Sequence, residues 1–203
     1  MDDFKYEIDD SEVTITGYTG NGGDVIVPST IGGLPVTNIG YRAFLKCTSL
    51  DSITLPNSLT AIGYGAFSGC TRLAMVTLGN NIIDIGGCAF YGCIGLTTII
   101  LGNSIINIGG CAFSGCRGLT SIALPNSVTR IGGSAFYKCT SLTSINLPNS
   151  LTTIGIRAFY ECAGLASINL PDSVTRIGNG AFEGCTGLTR RTLDAIALVR
   201  GAS

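Results

Sequence analysis

The chain has 203 residues, 45% of them hydrophobic and only 12% charged, with a formal net charge of -1. Its mean hydropathy of +0.45 would suit a membrane protein, yet Gly, Pro, Asn or Ser interrupts every few positions, and no stretch reaches the roughly 18 apolar residues of a spanning helix. Near-neutral charge with scattered Lys and Arg excludes a field that attracts nucleic acid, and the lack of histidine excludes a Ser-His-Asp or Cys-His catalytic site.

The opening Met1-Asp2-Asp3-Phe4-Lys5 has no basic segment, apolar core or cleavage site, so no secretory signal is expected. Phe4, Tyr6 and Ile8, then Val13 and Ile15, alternate on either side of Asp9-Asp10-Ser11, which predicts a β-hairpin. A Gly-rich loop over 17–23 follows, and Val25-Ile26-Val27-Pro28 matches the later Ile53-Thr54-Leu55-Pro56. A five-residue insertion around Gly32-Gly33-Leu34-Pro35 marks the first coil as an atypical cap.

From there a 23-residue unit recurs. Ala-Phe pairs stand at 43–44, 66–67, 89–90, 112–113, 135–136, 158–159 and 181–182, each followed three residues later by a cysteine. So strict a period predicts a solenoid. Within a unit, Leu50, Ile53 and Leu55 point inward and Ser52 and Thr54 outward. Pro56-Asn57-Ser58 turns the corner, with Gly79 or Gly102 replacing Pro in two units. Leu59 and Ile62 return to the interior, Gly63 permits a bend, and Ala66, Phe67 and Cys70 fill the far side, where short strands or 3₁₀ turns are expected. One continuous domain results: an N-terminal β cap and atypical first coil over 1–38, a solenoid over 39–189 and an irregular cap or tail over 190–203.

The regularity fails at Leu188-Thr189-Arg190-Arg191-Thr192-Leu193, where Arg191 takes an inward column and charge discourages edge pairing. Residues 192–200 then read as a short helix with Thr192 as N-cap and Gly201 beyond its end, or else as a frayed tail.

The cysteines fall into two classes. Cys47, Cys70, Cys93, Cys116, Cys139, Cys162 and Cys185 form an inward column of small buried hydrophobes. Stacked about 4.8 Å apart, they are expected to stay reduced. Cys88 and Cys111 replace Arg42, Gly65, Ser134, Arg157 and Gly180 in a column that tolerates charge. They face solvent on adjacent rungs and are candidates for a disulfide, with free inert thiols as the plainer reading. No cofactor or metal is implied.

The candidate binding face is the pair of outward strand columns. One contains Ser52, Met75, Thr98, Ser121, Ser144 and Ser167; the other contains Thr54, Thr77, Ile100, Ala123, Asn146 and Asn169. Small uncharged side chains make a smooth surface that a protein can approach closely, with Met75 and Ile100 as apolar points.

The string Leu-x-x-Ile-x-Leu-Pro-x-Ser-Val-x-x-Ile-Gly-x-x-Ala-Phe-x-x-Cys, complete from Leu119 to Cys139, resembles the BspA-type leucine-rich repeat family. Val13-Thr14-Ile15-Thr16-Gly17-Tyr18 and Gly33-Leu34-Pro35-Val36-Thr37-Asn38-Ile39-Gly40 are similar to that family's N-terminal cap. The resemblance implies a mostly β repeat protein of α/β type: a right-handed solenoid with a parallel sheet on one face. It also implies a cell-surface or secreted location, although the chain shows no signal peptide or obvious anchor. It implies a non-catalytic, adhesin-like module whose partner is a protein, with host extracellular-matrix proteins among the candidates. The alternative is a structural or self-associating spacer, and hence a homo-oligomer, resting on the irregular last unit.

Overall fold

The computed structural model describes residues 3–201; residues 1, 2, 202 and 203, the outer ends of the expected cap and tail, lie outside them. β1 (Phe4–Asp9) and β2 (Glu12–Tyr18) form the expected antiparallel hairpin. Asp10 and Ser11 sit at φ 46° and 65°, the mirror-image turn whose twist suits paired strands. Val13 and Ile15 of β2 are buried, whereas Tyr6 and Ile8 of β1 are exposed. Alternation in β1 therefore does not mark a core face, and only Phe4 reaches the interior, its ring 5.5 Å from Tyr18 and 6.4 Å from Phe44.

The next strand is β3 (Gly23–Ile26). The first-coil insertion then folds as a second hairpin, β4 (Thr30–Ile31) against β5 (Leu34–Ile39), turning at Gly32 and Gly33 with φ 60° and 82°. Each later coil adds two strands. They are β6 (Leu50–Thr54) and β7 (Ala61–Ile62), β8 (Met75–Thr77) and β9 (Asp84–Ile85), and β10 (Thr98–Ile100) and β11 (Asn107–Ile108). There follow β12 (Ser121–Ala123) and β13 (Arg130–Ile131), β14 (Ser144–Asn146) and β15 (Thr153–Ile154), and β16 (Ser167–Ile168) and β17 (Arg176–Ile177).

The two-residue strands extend the cap into one ten-stranded sheet, ordered β1-β2-β5-β7-β9-β11-β13-β15-β17, with β4 beside β5. The expected outward sheet is divided: β10-β8-β6-β3 form one panel and β12-β14-β16 another. The seam between β10 and β12 lies where the corner residue changes from Gly102 to Pro125.

On the third side the chain makes a run of tight turns. Ala66, Ser68 and Cys70 donate their N–H groups to Gly63, Gly65 and Phe67 of the same coil, while Gly65, Phe67 and Gly69 donate to Gly87, Ala89 and Tyr91 of the next. Donors thus alternate between closing the turn and joining coils, which leaves these buried backbone donors paired. The geometry requires two left-handed residues per coil. One column is Arg42, Gly65, Cys88, Cys111, Ser134, Arg157 and Gly180; the other includes Lys46, Gly69, Gly92, Gly115, Lys138, Glu161 and Gly184, all with φ between 53° and 77°.

Gly63 and its equivalents serve a different end from the bend expected of them. They lie outside the left-handed region, and their need is space: an added Cβ would stand 2.8 Å from the Gly40 carbonyl carbon at Gly63 and 2.6 Å from the Gly110 nitrogen at Gly132. Coils so close stack their inward rings. Phe44, Phe67, Phe90, Phe113, Phe136, Phe159 and Phe182 form a ladder with centroids 4.8–5.4 Å apart, continued by Tyr18 at 5.2 Å from Phe44. This spacing is favourable for offset aromatic pairs.

Six inward thiols are engaged as well. Cys70, Cys93, Cys116, Cys139, Cys162 and Cys185 each donate from Sγ to the carbonyl of a Phe one coil back, at 3.0–3.1 Å. Burial pushes the Cys93 and Cys139 thiols up to about 12.

The chain ends in α1 (Arg190–Gly201). The helix forms, but its cap is Thr189 in place of Thr192: the Thr192 N–H donates to Thr189 Oγ1 at 3.3 Å, as an N-cap hydroxyl accepts from the third helical residue. Starting two residues earlier turns Arg191 outward, and α1 packs on β17 with Ile196 only 6% exposed. The last coil is therefore covered by the helix, and the frayed-tail alternative does not hold.

Two outcomes follow for stability. Ser134→Gly relieves a left-handed non-glycine residue and is expected to raise unfolding free energy by about 1 kcal/mol, whereas Gly132→Ala, two residues earlier, lowers it; urea titration checks both. Because the buried thiols are neutral when folded and ionise from 9.0 when not, their contribution is fully present below about pH 9 and is lost as pH rises toward 12. The expected slope reaches about 1.4 kcal/mol per pH unit per thiol. Urea titrations in neutral and alkaline buffers, with a Cys93→Ala/Cys139→Ala double variant showing the shallower decline, test this.

Candidate functional site

The parallel registers place the predicted outward residues in straight rows. Ile26, Thr54, Thr77 and Ile100 lie side by side across the four-stranded panel, and Asp24, Ser52, Met75 and Thr98 form the row beside them. On the other panel Ser121, Ser144 and Ser167 align, as do Ala123 and Asn146. Of the twelve residues anticipated for this face, eleven are thus brought together in two groups, Ser52 to Ile100 and Ser121 to Ser167, with the seam between them, and Asn169 lies just past the end of β16.

Asp24 and Ile26 were missing from the anticipated face. The signal was present, since Val25-Ile26-Val27-Pro28 matches Ile53-Thr54-Leu55-Pro56 and so puts Ile26 opposite Thr54. Ile26 is 74% exposed, Ile100 53% and Met75 47%, which makes the four-stranded panel the more apolar of the two.

Polar groups around the face are largely engaged within the protein. Ser52 Oγ donates to Asp24 Oδ1 at 2.6 Å, and Asp51 pairs with Arg72 at 2.8 Å. Thr97 and Thr143 donate their hydroxyls to Ala74 and Thr120 carbonyls one coil back, each at 3.1 Å. Asn169, Ser167 and the three-stranded panel add no charge. Away from Asp24, such a face can bury against another surface at little desolvation penalty.

On the turn side, Cys88 and Cys111 are free and half-buried. Cys88 Sγ donates to Tyr64 Oη at 3.4 Å, and burial and the neighbouring Cys88 push the Cys111 thiol above its ordinary value. Among the described residues no group of three His, Cys, Asp or Glu is placed to hold a metal ion, and no helix is long and apolar enough to cross a membrane.

Two aromatic–cation clusters were not foreseen. Tyr41 and Tyr64 stack at 5.9 Å with Arg42 over the Tyr41 ring, beside a hollow of about 280 Å³ lined by Arg42, Leu45, Tyr64, Cys88 and Tyr91. Farther along, Tyr137 and Tyr160 stack at 5.2 Å, with Lys138 and Arg157 against them. Their sequence signal is Tyr recurring at 23-residue intervals beside the Ala-Phe pair.

The model of the BspA type leucine rich repeat region matches the chain in six copies, over residues 30–116 and 66–189. The chain belongs to the BspA-type leucine-rich repeat family. This BspA-type protein superposes on the leucine-rich repeat protein of T. pallidum with a TM-score of 0.93 at 36% identity, covering 98% of this chain and 94% of that one. It is similar to a leucine-rich cell surface protein of Faecalibacterium prausnitzii A2-165, with a TM-score of 0.80 at 36% identity over 92% of this chain and 52% of that one. A leucine-rich repeat protein of Bacteroides ovatus gives a TM-score of 0.84 at 33% identity, covering 93% and 51%. This protein therefore spans about half the length of the last two. No curated protein matches it. The BspA-type repeat is a fold of bacterial surface proteins and protein-interaction modules, and it is generally non-catalytic.

Proposed function

We propose that this protein is a non-catalytic, adhesin-like binding module whose outward four-stranded panel contacts a protein partner through Ile26, Met75 and Ile100. The observation that carries the reading is that these three large apolar side chains stand exposed on one panel among small side chains of which only Asp24, held by Ser52, is charged. Apolar anchors ringed by polar groups are the usual core of a protein interface. The fitting partner presents an apolar, weakly charged surface, since the panel offers a strongly charged one only the single Asp24 carboxylate as counter-charge. The cell-surface protein of Faecalibacterium prausnitzii that it resembles supports a role outside the cell, and extracellular-matrix proteins are the first class of partner.

Biolayer interferometry against a panel of matrix proteins, with wild type and Ile100→Arg compared, tests the reading. Because Ile100 is 53% exposed, the substitution leaves the thermal midpoint unchanged and weakens binding by about 2 kcal/mol or more. Equal affinity in the two proteins, or binding by neither, excludes this panel as the contact surface for that class.

A further inference from the structure

We propose that Cys88 and Cys111 form a reversible disulfide that clips together the two coils left unpaired on the outward face. The seam supplies the first observation. On one side of it Thr97 N–H donates to Ala74 and Leu78 N–H to Ile100; on the other, Thr143 N–H donates to Thr120. Among the described residues no strand pairing joins β10 to β12, although every other successive pair of outward strands is joined. Cys88 precedes β10 in its coil and Cys111 precedes β12 in the next. The two exposed-column cysteines therefore occupy the same two coils that the seam separates, on the opposite side of the solenoid.

Local geometry supplies the second. Cys88 and Cys111 have matching backbones, φ 55° and 56°, and their N–H groups are held by equivalent bonds to Gly110 and Gly133 at 2.8 and 2.9 Å. Their side chains leave the turn in the same direction, one coil apart. That coil spacing, about 5 Å in a parallel ladder, lies within the roughly 4.4–6.8 Å between Cα atoms that a disulfide accepts but is wider than its roughly 3.5–4.5 Å between Cβ atoms. Closing the bond therefore draws the two turns together, which the buried inward column, fixed by its thiol–carbonyl bonds, does not permit to its own cysteines. Cys88 lies one coil from both Tyr64, to whose hydroxyl its thiol donates at 3.4 Å, and Cys111, so bonding to Cys111 requires release of the Tyr64 contact.

The inward cysteines differ on each count. Cys93 and Cys116, in the same two coils, are buried and commit their thiols to Phe67 and Phe90 carbonyls at 3.1 Å. Half-exposed thiols beside one another are the ones an external reagent reaches first. Burial and the neighbouring Cys88 push the Cys111 thiol upward, which makes the reaction faster in mildly alkaline solution.

The co-reactant is a low-molecular-weight disulfide. One cysteine thiolate attacks it, forming a mixed disulfide and releasing one thiol; the neighbouring thiolate then displaces the second thiol. Two protein thiols are oxidised, one external disulfide is reduced to two thiols, and the two cysteine protons pass to the departing sulfurs.

The test incubates the full chain with oxidised glutathione, then combines intact mass, chymotryptic mapping without reduction, and amide hydrogen exchange. The expected product has lost two hydrogens, retains no glutathione and links Cys88 to Cys111, and exchange at residues 97–101 and 120–124 slows by about tenfold or more. Cys88→Ser and Cys111→Ser, each in a surface column that already holds Ser134, remain folded by circular dichroism and instead keep one glutathione. Glutathione retained at both positions of the wild type, or a bond mapping to Cys93 or Cys116, overturns the proposal. A Cys88–Cys111 bond that leaves seam exchange unchanged overturns the clip.

Discussion

Close contact between successive coils is the constraint on which the rest depends. At Gly63 and Gly132 there is no room for even a methyl group between one coil and the backbone of the last. That contact fixes the rise per coil, and the rise in turn brings the Phe rings to 4.8–5.4 Å and each inward thiol to the carbonyl of the coil before it. A single coil has neither a partner for its ring nor an acceptor for its thiol, so stability is a property of neighbours in contact.

The same spacing shapes the surfaces. Along the outward strands it lets a threonine hydroxyl reach the carbonyl one coil back, as at Thr97 and Thr143, which removes hydrogen-bonding capacity from solvent and leaves a smooth apolar-leaning face. On the turn side it stacks Tyr41 on Tyr64 and Tyr137 on Tyr160, with cations beside them. The first surface is suited to broad, weakly polar contact. The second concentrates rings and charges into two separate clusters.

Much of this was legible in the sequence because a translational repeat converts spacing directly into neighbours. The interval between Phe67 and Phe90, or between Ser121 and Ser144, is enough to place them side by side. What could not be read depended on backbone angles and not on side-chain type. The left-handed column holds Arg42, Cys88, Ser134 and Arg157 as well as glycines, and such residues conceal a conformation that only glycine would have announced. Gly63 was misread for the opposite reason: its lack of a side chain provides clearance, not a bend. Division of the outward sheet was illegible too, since β10 and β12 share the same inward pattern, and their differences, at the outward positions and the adjoining corner, are of a kind that joined strands also show. Thr189 and Thr192 are chemically equal as caps, and the earlier start is seen only in the folded chain, where Ile196 of α1 is buried and the helix packs on β17.

The repeat contacts also bear on how such a chain changes over evolutionary time. Backbone and thiol bonds in the array reach only the coil before or after, so duplication or loss of one whole 23-residue unit recreates the same junction at every remaining boundary. Length is therefore free to vary in quanta of one turn, each adding about 5 Å of reach, while the N-terminal hairpins and α1 remain as fixed terminators. The junction between β10 and β12 is the exception: with its outward ladder already interrupted, it is where an inserted or deleted turn disturbs the fewest existing bonds.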